Sequence, residues 1–174
     1  MVGYDKVLGS LTLGGLDLSK TGPRNLSFPF ASDDSRDLTV GLQGISASVQ
    51  GVGHALLPQG VYSFIDSTIP QIWLPLVACQ QFEQLFGLTI DPDTDLYLVN
   101  DTLHQKLLEQ NATFTFTLGN NVEGGESLDI VLPYASFDLF VDYPIVQNRT
   151  RYFPLMRAAN DTQYTLGRVF LQEA

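Results

Sequence analysis

The 174-residue sequence is poor in several residues on which common chemistries depend. It holds one cysteine, Cys79, so no disulfide framework can form within it. No histidine or cation stands beside Cys79, which leaves a thiolate nucleophile unsupported. A buried thiol on a helix face is the plainer reading, with pairing to a segment outside the chain as the alternative. There are two histidines, His54 in a glycine-flanked loop and His104 on an amphipathic stretch. Together with one cysteine they make no readable metal site, and His104 is expected to pack or face solvent rather than act as a base. No Gly-x-Ser-x-Gly elbow is present for a serine hydrolase. No apolar run is long enough to span a membrane, and no signal peptide precedes Val2, so Met1 reads as a start without its targeting segment. Positive charge is scarce as well. Nine Lys and Arg against nineteen Asp and Glu give a formal net charge of -10, which argues against nucleic acid and anionic membrane surfaces as partners. Such a balance suits mildly acidic surroundings.

What is present describes a globular chain. An apolar content of 44% and an aromatic content of 11% supply one domain with a real core. Residues 7–15 read as a strand closed by Gly14-Gly15, and residues 16–36 as a loop with one strand at 26–28. Period-two alternation over residues 38–45 marks a half-buried strand, followed by a glycine turn at 51–53. Residues 75–86 change to a helical period, with Leu76, Cys79, Phe82 and Phe86 on one side, Pro75 in the first turn and Gly87 as the stop. The acidic stretch at 91–95 fails as a calcium loop, because Leu96 stands where the loop needs glycine and Thr102 where it needs its closing acid. A strand at 96–99 leads to a helix capped by Asn100 or Asp101, carrying Leu103, Leu107 and Leu108. Residues 114–118 and 128–132 alternate around a turn at 119–126 and read as a hairpin. Short apolar stretches at 137–141, 152–155 and 164–171 follow. The fold class is mainly β, with short helices and no internal repeat or linker.

One stretch organises the rest. Residues 61–75 place Asp66 after the apolar run of Val61 to Ile65 and before a second one, with hydroxyls at Ser67 and Thr68. An acid so placed needs hydrogen bonds or a chemical purpose. Phe64-Ile65-Asp66-Ser67-Thr68 resembles the catalytic signature of pepsin-like aspartic proteases. The run Tyr164 to Leu171 resembles that family's second signature, and Gly9 to Gly15 resembles the glycine-rich strand that opens its second lobe. The three matches follow the family's order and together span nearly the whole chain.

The resemblance implies a single β-barrel-like lobe over residues 1–174, the C-terminal lobe of a secreted protein of the family's fungal branch. The N-terminal lobe would be absent, and the lobe would continue past Ala174 with one more strand. It implies Asp66 as one of two catalytic aspartates, Ser67 as a brace between two catalytic loops, and Leu166-Gly167 as support from below. No cofactor is implied. The implied substrate is an extended polypeptide, which Tyr62 and Gln71, flanking the stretch, would touch. No second acid has the same context, so the chain carries half a site and is expected to be inactive alone.

The motif departs from the family at two positions. Thr68 replaces a glycine that lets backbone approach the carboxylate, and Ile69 replaces a hydroxyl donor. Loss of that donor is expected to disfavour the ionised form of Asp66. Two other functions therefore stand beside the peptidase lobe: a non-catalytic lobe that grips peptides or a protein, and a homodimer in which two Asp66 residues rebuild a site. Five sequons, at Asn25, Asn100, Asn111, Asn148 and Asn160, favour a secreted or vacuolar glycoprotein.

Overall fold

Residues 13–15, 26–32 and 37–173 are described by a computed structural model. Alternation from residue 38 onward becomes β1 (Thr39–Val49), longer than expected, which turns through Gln50 and Gly51 into β2 (Val52–Ala55). The apolar run before the aspartate is β3 (Val61–Ile65), and the run after it is β4 (Ile72–Leu74). Then come helix α1 (Leu76–Phe86), β5 (Tyr97–Val99) and helix α2 (Asp101–Gln110). The expected hairpin forms from β6 (Thr113–Gly119) and β7 (Ser127–Pro133), with all seven residue pairs in one register. After a 3-10 turn at Tyr134–Phe137, the chain adds β8 (Leu139–Val141), β9 (Thr150–Phe153) and β10 (Leu155–Arg157). A second 3-10 turn, Asp161–Gln163, leads to β11 (Thr165–Leu166) and the one-turn helix α3 (Arg168–Leu171).

Eight strands join in one mixed sheet, ordered β10-β4-β11-β3-β1-β6-β7 with β2 also paired to β1. A smaller sheet has the order β5-β9-β8. Under the sheets lies an aromatic core. Phe82 and Phe86 of α1, Phe114 of β6, Phe137 and Phe153 meet with ring centroids 4.5 to 6.4 Å apart. Full burial of each such side chain contributes about 1.5–3 kcal/mol. Phe116 packs edge-on against Phe170, which ties α3 to β6 at 5.2 Å.

The helix ends follow from their residues. Gly87 closes α1 in the left-handed region at φ 75°, and the Asn100 carboxamide caps α2 by accepting from the Leu103 N–H at 2.8 Å. Cys79 is fully buried on the inner face of α1, and burial, followed by the nearby Glu83 charge, pushes its thiol up to about 12. One polar cluster sits beside it. Tyr97 Oη donates to Glu83 Oε1 at 2.5 Å, and Arg157 Nη2 reaches the same oxygen at 2.8 Å, which joins α1, β5 and β10.

Several expectations need correction. Residues 26–28 form no strand; the segment is irregular, although Phe28 packs against the core. Leu76 and Leu108 are about half exposed, because the buried faces of their helices are carried by Ala78, Cys79, Phe82 and Phe86, and by His104 and Leu107. The strand expected at 7–15 lies outside the described residues except at 13–15, where the chain bends, and Asn25 lies outside them too. None of the described helices is long and apolar enough to cross a membrane.

Candidate active site

The aspartate is positioned by an interlocked piece of sheet. β11 pairs in parallel with β3, Leu166 opposite Ile65, and antiparallel with β4, Leu166 opposite Ile72. β3 and β4 therefore flank β11, and residues 66–71 must cross over its end to join them. Asp66 begins that crossing, its N–H donating to the Leu166 carbonyl at 3.3 Å. Gly167 lies directly beneath the loop. A Cβ there would collide with the carbonyl oxygens of Gln71 and Ile69, so the close approach requires glycine at an ordinary extended φ of -85°. Two hydrogen bonds staple loop to floor, from Arg168 N–H to the Ile69 carbonyl at 2.7 Å and from Val169 N–H to the Pro70 carbonyl at 3.2 Å.

The loop turns back on its own carboxylate. Thr68 donates twice to Asp66 Oδ1, from its backbone N–H at 2.8 Å and from its hydroxyl at 2.6 Å. These bonds, the hydroxyl first, hold the Asp66 carboxyl below its usual range. The direction is opposite to that expected from the loss of a donor at Ile69. The donor has moved one residue earlier, and the Ile69 backbone N–H adds in the same sense. Asp66 is only partly covered, while Ser67 and Thr68 are exposed. The Ser67 side chain makes no hydrogen bond within the described residues, and nothing there engages the loop from the outside.

A groove opens beside the carboxylate. One hollow of about 280 Å³ is lined by Asp66, Phe64, Ile69, Trp73, Gln163 and Thr162 among others. A second, of about 380 Å³, shares Phe64 and Thr162 and continues along Tyr62, Tyr164 and Val122. Tyr62 thus lies on the groove. Gln71 does not line either hollow; its carbonyl instead closes on Gly167. Trp73 forms part of the groove wall, and its indole N–H is buried without an acceptor among the described residues. Thr162, Gln163 and Tyr164 were not legible as groove residues, since only β11 brings them against β3. Phe64 was within reach of the sequence, because side chains two apart on a strand share a face with Tyr62.

The remaining candidates lie elsewhere. His104 is buried and packs near Tyr134, its Nδ1 3.5 Å from Asp138. His54 lines a separate hollow with Gln81 and Gln84. No group of three His, Cys, Asp or Glu side chains among the described residues is arranged to hold a metal ion.

This interlocked sheet with an acid at its crossing defines a class of fold, a single mainly β lobe of the aspartic-protease type. A solved structure of that kind, the aspartic proteinase from Irpex lacteus, superposes with a TM-score of 0.58 at 14% sequence identity. The match covers 91% of this chain but 45% of the other, so the chain spans about half the length of that enzyme. No protein-family model and no curated protein sequence matches.

Proposed function

We propose that this chain is the C-terminal lobe of a pepsin-like aspartic endopeptidase and supplies Asp66 as one of the two acids that hydrolyse a peptide bond. The observation that carries the reading is the Asp66 loop itself: a carboxylate that accepts two hydrogen bonds from Thr68, raised over Gly167 at the mouth of an aromatic groove, within a lobe of aspartic-protease fold. An ionised Asp66 would take a proton from water as the oxygen attacks the peptide carbonyl, while a protonated acid from a second lobe donates to the carbonyl oxygen. Two acids brought close share one proton because both cannot remain charged, so the second lobe would supply the acid form. The exposed Ser67 hydroxyl is available to that lobe's loop. Phe64, Trp73 and Tyr62 would contact side chains of an extended substrate. Secretion, and the fungal branch of the family, are the finer parts of the proposal; the sequons support the first.

Acid-range cleavage of an unfolded protein tests the reading. The chain alone is expected to leave the substrate intact. The chain mixed with a complementary N-terminal lobe is expected to cleave it, with cleavage lost in Asp66→Ala and blocked by a pepstatin-type inhibitor. Cleavage by the chain alone, abolished by both controls, would replace this reading with a homodimeric site. Peptide binding that survives Asp66→Ala, with no cleavage by the mixture, would replace it with a non-catalytic binding lobe.

A further inference from the structure

Asparagine is used selectively in this sequence. Five of its seven asparagines stand in Asn-x-Ser/Thr triplets, whereas 24 serines and threonines in 174 residues would give about one by chance. The four at described positions, Asn100, Asn111, Asn148 and Asn160, are all exposed. Asn100 and Asn111 cap the two ends of α2, and Asn148 precedes β9, whose Arg151 reaches Asp101 at 3.4 Å.

Asn160 immediately precedes a stretch of the groove wall. It caps the 3-10 turn Asp161–Gln163, whose residues Asp161 and Thr162 line the hollow that holds Tyr62 and Tyr164. Thr162 also lines the hollow at Asp66. The Asn160 Oδ1 accepts from the Thr162 N–H at 3.0 Å and from its hydroxyl at 2.6 Å, so the cap uses the oxygen alone. The amide nitrogen makes no hydrogen bond among the described residues.

We propose that Asn160 carries an N-linked glycan that screens the groove leading to Asp66. Attachment replaces one Asn160 Nδ2–H bond with a bond to the anomeric carbon of an oligosaccharide supplied on a lipid diphosphate. The sugar–phosphate bond breaks, the lipid diphosphate leaves with the electron pair, and the amide proton passes to solvent. The amide oxygen is unchanged, so the cap and the wall it holds survive modification. A hydrated sugar chain rooted two residues from the Thr162 wall obstructs bulky approach along the groove and leaves small molecules free to enter. The screen depends on the groove's geometry and holds whether the groove cleaves peptides or only binds them.

Secretion of the full chain from a eukaryotic host, with peptide mass spectrometry after enzymatic deglycosylation in heavy-oxygen water, reads occupancy directly. Asn160 is expected to be modified; an unmodified Asn160 overturns the proposal. Screening is read in a Tyr62→Cys background, in which the buried Cys79 stays silent. Adding Asn160→Asp removes the glycan and keeps a cap acceptor. It is expected to speed labelling by a maleimide on a long poly(ethylene glycol) chain several-fold, with little change for a small maleimide. Equal rates with the bulky reagent would overturn the screen even with Asn160 occupied.

Discussion

Two turns in this protein make nearly the same hydrogen bonds, and one of them faces a groove. At Asp66 the carboxylate accepts from the N–H and hydroxyl of Thr68, and at Asp91 it accepts from the N–H of Thr94 at 3.0 Å and its hydroxyl at 2.6 Å. The Asp91 turn closes on itself, with Asp91 N–H to the Leu96 carbonyl and Asp95 N–H to the Asp91 carbonyl. The Asp66 turn instead bridges β3 and β4, rests on Gly167, and opens beside Phe64 and Trp73. An aspartate followed by a threonine is a local turn device in both places. Long-range strand pairing is what places one of them at a possible site.

Substitutions can separate the two turns. The largest effect is expected from Gly167→Ala, which drives a methyl into two loop carbonyls and should cost about 1–3 kcal/mol. Denaturant unfolding would measure it, and an unchanged midpoint would show that the loop does not depend on the close approach. Thr94→Val removes one side-chain donor at the closed turn and should cost about 1 kcal/mol in the same assay, with the Asp66 titration unmoved. Thr68→Val should act in the opposite way, raising the Asp66 midpoint in a carboxyl carbon NMR titration, with Thr68→Ser restoring it. A carboxylate whose folded midpoint lies below its unfolded one adds stability above the unfolded value and loses it as pH falls through the folded value. Any stability difference between Thr68→Val and the parent should therefore be present at neutral pH and vanish in acid. The smallest effect belongs to Asp95→Gly. Asp95 has a φ of 57°, and relief of that left-handed backbone should be worth at most about 1 kcal/mol of added stability, read from the melting temperature.

Much of this arrangement was visible in the sequence where the signal is local. The alternation in β1, β6 and β7, the helical period closed by Gly87 and the Asn100 cap all arise from neighbouring residues, and each formed at or near its expected place. The motif around Asp66 was visible for the same reason. The donor at Thr68 was misjudged because the family pattern places the hydroxyl at the position of Ile69, whereas here the Thr68 hydroxyl reaches the carboxylate. An indole in an apolar strand is usually covered on both faces, whereas β4 leaves one side of Trp73 on the groove. Thr162 and Tyr164 lie in a polar segment with no period, and only the pairing of Thr165 with Phe64 gives them a place.

That pairing also governs when the site can exist. β11 is two residues long and is inserted between strands made about a hundred residues earlier. Loop closure of that span is paid in entropy before its few hydrogen bonds form, so β11 is expected to settle late, after the hairpin of β6 and β7. During synthesis, Asp66 is made about a hundred residues before Gly167 and has no floor until Gly167 arrives. Synthesis through Gly167 is thus a condition for shaping the carboxylate, and a nascent chain that stops short of it carries the acid without its geometry.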